Sequence, residues 1–207
     1  MINNAKKYFI AEIVESQAGF PFRTSVEEVD GGSVAVVQMK DVDPDDGIDW
    51  LGTVRTELPG RKQPDWLRTG DVLFVFRGTR FYAVCVDSPP CFAVCGPHFF
   101  HLRIKPALDV NPAFLVWQMN QAPFQRLLYS AAEGTSQLSI RRPVFDNLSI
   151  SLPSLADQQR IVALIDLARQ ERRALQQLIR NREQQLHALV ENMVQGSAYP
   201  VRKTIKS

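Results

Sequence analysis

The stretch from residue 155 to residue 195 constrains the fold of this chain most, because it contains neither glycine nor proline. Ten of its positions follow a strict four-and-three spacing, and eight of the ten are apolar: Ile161, Ile165, Ala168, Arg172, Leu175, Ile179, Arg182, Leu186, Leu189 and Met193. We call these ten residues the seam. Such spacing is typical of a coiled-coil helix. At about 60 Å, this helix would be longer than a small domain is wide. We therefore expect it to protrude and to pack on a second long helix; the alternative is a helix folded back on its own domain.

Both ends of the predicted helix have capping signals. Ser154 with Asp157 three residues later resembles a capping box, and Gly196 is a typical helix end. Two charged residues, Arg172 and Arg182, lie on the seam itself, where charge weakens packing but can fix register and orientation. We expect three segments: a domain at 1–152, a dimerisation and spacer helix at 153–196, and a flexible tail at 197–207.

The first segment has the pattern of a mixed domain with many short strands. Turn residues separate runs rich in β-branched and aromatic side chains at 34–39, 71–76, 81–86, 92–95 and 98–104. A helix follows, beginning with Asn111 as N-cap and Pro112 at its first position. It continues to Gly134, with a break at Pro123. The predicted fold class is therefore α+β: a mixed α/β domain followed by one long protruding coiled-coil helix.

Composition excludes several classes of protein. Hydrophobic residues make up 45% of the 207-residue chain and charged residues 22%, as in globular proteins. No apolar run approaches the roughly 20 residues of a membrane span, and the first residues lack an apolar signal core. We expect a cytoplasmic protein without a membrane partner. Residues 1–150 contain 15 Lys or Arg and 17 Asp or Glu, so an anionic partner would have to bind local basic clusters.

The residues that could hold a metal are Cys91, Cys95, His98 and His101. Their spacing is too compact for a zinc finger, because no long segment separates two ligand pairs. Ordinary core thiols and histidines on a strand fit the pattern better. The serines lack a nucleophile elbow, and no glycine-rich loop matches a phosphate cradle. We therefore expect no metal, no cofactor and no catalytic residue.

Basic and amide side chains near predicted turns suggest a nucleic-acid contact. Arginine can bind the two acceptors of guanine, and glutamine can do the same for adenine; both also contact phosphates. Solvated surface charge is the alternative for each residue taken alone. The candidate DNA-binding residues are Lys62, Arg77, Thr79, Arg80, Ser136, Gln137, Arg141 and Arg142.

The segment 148–162, Leu-Ser-Ile-Ser-Leu-Pro-Ser-Leu-Ala-Asp-Gln-Gln-Arg-Ile-Val, closely resembles a junction in specificity (S) subunits of type I restriction-modification systems. The usual form there is Leu-Pro-Pro-Leu-x-Glu-Gln-x-x-Ile-Val, followed by a long helix. Upstream motifs agree in order: Gly-Phe-Pro-Phe at 19–22, Val-Gln-Met-Lys-Asp at 37–41, Leu-Arg-Thr-Gly-Asp-Val-Leu at 67–73 with Arg77-Gly78, and Gly134 before 138–140. Ser154 and Asp157 depart from the usual proline and glutamate but preserve helix capping.

The resemblance implies a non-catalytic subunit that recognises double-stranded DNA and associates with methyltransferase (M) and restriction (R) subunits. It also implies a target-recognition domain in the first segment. The usual subunit has two such domains and two helices, so this sequence resembles a half-length form. Pairing of two copies along the seam would form a homodimer that reads an interrupted palindrome, each copy reading one half. Two alternatives stay open: a coiled-coil interaction protein with a non-DNA ligand, and a truncated subunit that exchanges recognition domains. A stand-alone enzyme is disfavoured.

Overall fold

The computed structural model describes residues 5–22, 24–58, 64–135 and 137–196. Within these residues the strands are β1 (Lys6–Phe9), β2 (Val14–Ala18), β3 (Val34–Val37), β4 (Val42–Asp43), β5 (Gly47–Ile48), β6 (Val54–Thr56), β7 (Val72–Val75), β8 (Arg77–Gly78), β9 (Tyr82–Cys85), β10 (Phe92–Cys95), β11 (Phe99–Ile104), β12 (Leu138–Ser139) and β13 (Ser149–Leu152). The helices are α1 (Ile10–Ile13), α2 (Pro112–Asn120), α3 (Ala122–Ala131), α4 (Arg142–Asp146) and α5 (Leu155–Gly196). A short 3₁₀ turn spans Met39–Asp41.

Two sheets form the centre of the first unit. The larger has the order β2-β11-β7-β9 and is antiparallel throughout. The smaller has the order β10-β3-β6, in which β10 and β3 are parallel. Three two-stranded pairs complete the sheet structure of the described residues: β1 with β13, β12 with β8, and β4 with β5.

The core lies on both faces of the larger sheet, which explains why the inner strand β7 is apolar at every position. In β7, Val72 and Phe74 belong to one hydrophobic cluster, together with buried residues of α2, α3 and α4. Leu73 and Val75 belong to another cluster, shared with the smaller sheet. Successive side chains of a strand point to opposite faces, so a run without polar residues fits a strand covered on both sides.

The interruption of the first predicted helix is confirmed. Asn111 caps α2, because its side-chain carbonyl accepts from the N–H groups of Ala113 at 2.9 Å and Phe114 at 3.2 Å. The helix ends at Asn120, Gln121 adopts extended backbone angles, and α3 begins at Ala122 with Pro123 in its first turn. Proline is tolerated in a first turn, where N–H groups lack helical acceptors.

The strand predicted at 34–39 ends early, at Val37. The Asp41 carboxylate accepts from the N–H of Gln38 at 2.9 Å, and the Asp41 N–H donates to the Gln38 carbonyl at 3.0 Å. These two bonds close the 3₁₀ turn and stop the strand. A second correction concerns Arg77 and Gly78. We expected them to form a turn between the strands predicted at 71–76 and 81–86, but they form β8.

The long helix is confirmed: α5 contains 42 residues. At its start the N–H of Asp157 donates to the Ser154 hydroxyl at 3.2 Å, and this hydroxyl donates to the Asp157 carboxylate at 2.8 Å. The chain divides into two compact units, one ending at Ala163 and the other beginning at Leu164. The first two turns of α5 thus belong to the first unit. The tail predicted at 197–207 lies outside the described residues.

Candidate nucleic-acid interface

Two loops that the sequence marks as candidate DNA contacts lie side by side. Strands β8 and β12 pair antiparallel, with Arg77 opposite Ser139. The N–H of Ile140 donates to the carbonyl of Phe76 at 3.1 Å and extends this pairing by one bond. The loop after β8 and the loop before β12 are therefore neighbours in the fold.

Four of the predicted residues are brought together here, and we call them the β8–β12 edge: Arg77, Thr79, Arg80 and Gln137. Arg77 belongs to β8, Thr79 and Arg80 follow it directly, and Gln137 directly precedes β12. All four are exposed. They present two guanidinium groups, a hydroxyl and an amide, the groups that donate to phosphates and base edges.

Arg80 lies over an aromatic ring. Its guanidinium carbon lies 5.2 Å from the ring centroid of Tyr82, within range of a cation–π contact. The ring is anchored, since the Tyr82 hydroxyl approaches the carbonyl oxygen of Val42 at 3.4 Å. Burial raises the pKa of the Tyr82 hydroxyl above its ordinary value. The stacked ring limits the orientations open to Arg80 while leaving its side chain exposed.

A tight turn positions Gln137. Glu133 and Ser139 exchange two backbone hydrogen bonds, at 2.8 and 2.9 Å. Gly134 begins the turn with a φ of +103°, which L side chains rarely adopt. A Cβ at Gly134 would lie 2.2 Å from the carbonyl oxygen of Gln137. Only glycine fits this close approach without movement of the backbone that carries Gln137.

Arg141 and Arg142, also predicted to bind DNA, have partners within the protein. Arg141 pairs with Glu133 at 2.5 Å. The Arg142 guanidinium donates to the Ser16 hydroxyl at 3.0 Å and lies 3.5 Å from the carboxylate of Asp146. Both arginines are exposed, but each already has an acceptor. The remaining candidates, Lys62 and Ser136, lie outside the described residues.

Lys40 is a further candidate contact that the sequence does not indicate. A Cβ added to Gly78 would lie 3.4 Å from the terminal methyl group of Met39, so the turn at Met39–Asp41 is next to β8. The Lys40 side chain is 60% exposed, and its ammonium is 3.9 Å from the Asp41 carboxylate. The motif at 37–41 contains Lys40, but nothing in the sequence indicates that this motif lies beside β8.

The acidic stretch after this turn has a structural role. The Asp43 carboxylate accepts from the N–H groups of Asp45 at 2.8 Å and Asp46 at 3.2 Å. The Asp49 carboxylate accepts from the N–H groups of Leu51 and Gly52, both at 3.2 Å. Asp43 and Asp49 thus cap turns around β4 and β5.

The four residues considered for zinc have separate surroundings. Cys91 contacts the guanidinium of Arg55, and His98 is exposed. Cys95 is buried in the core between the sheets, and burial raises the pKa of its thiol to about 12. His101 is buried beside two carboxylates, Asp71 and Asp65. Among the described residues, no group of three or more Cys, His, Asp or Glu side chains could hold a metal ion.

Most seam residues are exposed in the second unit. Leu175, Ile179, Leu186 and Leu189 are each more than half exposed, and Met193 is 75% exposed. Ala168, Arg172 and Arg182 are exposed, and Ile165 is half-buried. Ile161 differs, because it packs against the core of the first unit. From Ile165 onward, the seam residues therefore have surface that the predicted interface could bury.

Comparison with solved structures identifies the fold. The S subunit of the type I restriction-modification system from M. genitalium matches 94% of this chain at 16% identity, with a TM-score of 0.59. HsdS from Thermoanaerobacter tengcongensis matches 99% of this chain at 20% identity, with a TM-score of 0.61. A third match comes from a structure of a type I restriction-modification system that describes complex assembly and conformational transition. It matches 99% of this chain at 19% identity, with a TM-score of 0.67. The chain has the fold of a type I S subunit.

This chain matches only part of each of those proteins. The chain covers 47% of the M. genitalium S subunit and 52% of each of the other two chains, so it spans about half their length. Neither a protein-family model nor a curated protein sequence matches it. Within the described residues, no helix has both the length and the apolarity needed to span a bilayer.

Proposed function

We propose that this chain recognises DNA sequence as the recognition part of a type I S subunit, and that the β8–β12 edge contacts the DNA. The pairing of β8 with β12 supports this proposal most directly, because it joins two loops marked independently by their residue types. Arg77, Arg80 and Gln137 have the groups for base edges, and Thr79 for phosphates. Arg141 and Arg142 have internal acceptors, so we expect smaller contributions from them.

The proposed assembly follows from the exposed seam. Two copies pair antiparallel along α5, and each recognition domain reads one half of a bipartite target. Methyltransferase (M) subunits bind the paired helices, and restriction (R) subunits join the complex. The chain itself supplies no catalytic group and acts in the cytoplasm.

Binding of duplex DNA tests this function. The full chain is titrated with a randomised duplex pool between 50 and 200 mM salt, and a target is then selected from the pool. We expect affinity to fall steeply with salt, since phosphate contacts release counterions. Replacing Arg77 or Arg80 by Ala should flatten the salt slope by about one unit if that arginine contacts phosphate. It should cost about 1–3 kcal/mol at one target position if it reads a base.

The matched control is Arg180→Ala, an exposed arginine of α5 outside the seam. It should leave DNA affinity unchanged. If Arg77, Arg80 and Gln137 variants also leave affinity and salt slope unchanged, the DNA surface lies elsewhere. A chain with no salt-dependent affinity for duplex DNA would favour the alternative of an interaction protein with another ligand.

A further inference from the structure

We propose that two copies of α5 pair in one fixed register, with Leu175 of one copy opposite Ile179 of the other, and that charged residues of the helix select this register. The proposal rests on the proposed function, which supplies the antiparallel dimer. The register and its charge pairs go beyond it, because they state which residues meet and why other alignments are disfavoured.

The apolar residues of the seam are symmetric about a point between Leu175 and Ile179. An antiparallel second copy centred there places Ile165 opposite Leu189 and Ala168 opposite Leu186. Each contact occurs twice, because the interface has two-fold symmetry. All these residues are half-buried or exposed in the single chain, so each has surface left to bury. Leu178, which flanks the seam and is 64% exposed, meets Leu178 of the second copy.

The two seam arginines also favour this register. It places Arg172 opposite Arg182 of the second copy, so that the arginines share layers instead of entering apolar ones. A shift of one heptad in one direction would place Arg172 opposite Leu175 and Arg182 opposite Ile165. The opposite shift would place them opposite Leu189 and Ile179. Each shift doubles the number of layers that contain an arginine and places each arginine against an apolar side chain, and burying charge against apolar groups is costly.

Acidic residues compensate the arginine layers. Glu171 and Glu183 lie next to Arg172 and Arg182 in sequence, and in the proposed register they reach the same level of the paired helices. On one flank, Arg169 faces Glu183 of the second copy. Charge pairs at such flanking positions set partner choice and orientation in coiled coils.

The pair of Arg169 and Glu183 distinguishes the proposed register from shifted and parallel alignments. After a shift of one heptad, Glu183 would face Val162 or Gln176 of the second copy, and in a parallel pair it would face Leu178. Of these alignments, the proposed one alone gives Glu183 a basic partner on the flank. Within its own helix, Arg169 has a long contact with Asp166, at 3.9 Å, and it can turn toward a second copy.

Disulfide formation measures the register. In a Cys91→Ser background, Leu175→Cys and Ile179→Cys proteins are mixed, allowed to exchange subunits and oxidised. A disulfide needs Cβ atoms about 4 Å apart, so we expect a cross-linked heterodimer from this mixture. Ala168→Cys with Ile179→Cys and Leu175→Cys with Leu186→Cys report the two shifted registers, and Leu175→Cys alone reports parallel pairing. These three samples should remain uncross-linked.

Charge reversal tests whether the pair of Arg169 and Glu183 selects the register. Arg169→Glu and Glu183→Arg each place like charges together twice per dimer, and we expect each homodimer to dissociate about tenfold more readily. A mixture of the two variants should prefer the heterodimer, because both of its flanking pairs join opposite charges. The double variant Arg169→Glu/Glu183→Arg should recover the original dissociation constant. Arg180→Glu, outside the flanks, is the control and should have no such effect.

The outcomes separate this inference from the function it rests on. A chain that is a dimer by light scattering but cross-links in a shifted or parallel alignment overturns the register and leaves the dimer intact. A dimer whose dissociation constant is unchanged by the single charge reversals overturns the selection by charge. A chain that is monomeric at all concentrations tested overturns both the register and the proposed dimer, while DNA binding is judged by its own assay.

Discussion

At the scale of single residues, the buried carboxylate of Asp71 is the centre of an ionic cluster in the first unit. The Asp71 carboxylate accepts from the Arg103 guanidinium at 2.8 and 3.0 Å and from the N–H of Arg68 at 2.9 Å. A ring nitrogen of His101 lies 2.6 Å from the same carboxylate. Burial alone would raise the pKa of Asp71, but the bonds from His101 and Arg103 lower it below its ordinary value.

Asp71→Asn removes the charge at the centre of this cluster. Because Arg103 would keep a half-buried charge without its main partner, we expect the free energy of unfolding to fall by about 3 kcal/mol. Urea denaturation measures this loss. Asp166→Asn, at an exposed contact of α5, is the control and should change stability by less than about 0.5 kcal/mol.

The pH dependence of stability tests the same carboxylate. A lowered pKa in the folded state stabilises the protein above the unfolded pKa of about 3.9, and this stabilisation is lost as pH falls below it. The unmodified chain should therefore lose stability steeply below about pH 4, and Asp71→Asn should lose less over the same range. Equal slopes for the two proteins would contradict the role assigned to Asp71.

Gln158 is a second residue whose role depends on burial. It is 1% exposed, and its amide N–H₂ donates to the carbonyls of Asp109 at 3.1 Å and Pro153 at 2.9 Å. Its carbonyl accepts from the N–H of Asn111 at 2.8 Å. The side chain thus joins the start of α5 to the residues before α2.

Gln158→Ala should leave these three backbone groups without their partner. Unsatisfied buried groups cost about 1–3 kcal/mol each, and we expect a loss of roughly 3 kcal/mol after partial hydration. The neighbouring Gln159 is exposed, and Gln159→Ala should be nearly neutral. Similar midpoints for the two variants in thermal denaturation would show that water replaces Gln158 completely.

At the scale of elements, the turn from Glu133 to Ser139 determines where Gln137 lies. Gly134→Ala adds the strain of a positive φ and a Cβ that meets the Gln137 carbonyl. Gly47 has a φ of +84° but open space where a Cβ would lie, so Gly47→Ala should cost only about 1–2 kcal/mol for its backbone. We expect Gly134→Ala to destabilise more and to weaken DNA binding, with Gly47→Ala leaving binding unchanged. Equal DNA affinities in fluorescence anisotropy would contradict this.

At the scale of the whole molecule, the exposed seam predicts self-association. Ile179→Glu with Leu186→Glu places charges in the middle of the paired helices, where burial is most costly. The double variant should be monomeric by light scattering. It should lose affinity for the two-part DNA site far more than for one half-site, because linkage raises effective concentration without adding contacts. The control is Val194→Glu, because Val194 lies at the end of the helix and is more than half exposed.

The sequence by itself determined the elements whose signals are local. The spacing of the seam, the cap at Ser154 and the N-cap at Asn111 each depend on residues a few positions apart, and the helix and both caps are confirmed. The chemistry of the β8–β12 edge is also local, since residue types near turns predict a DNA contact there, which stays a prediction. The resemblance in the junction at 148–162 indicated the fold that the solved S subunits share.

Only the tertiary structure decided which distant segments meet. Pairing of β8 with β12 and of β1 with β13 joins segments far apart in sequence through backbone hydrogen bonds. Every residue type except proline can donate such bonds, so the sequence contains little signal for the choice of partner. The same reason explains why the turn that contains Lys40 could not be placed beside β8 from the sequence. It also explains the cluster at Asp71, because its charged groups come together only in the folded core.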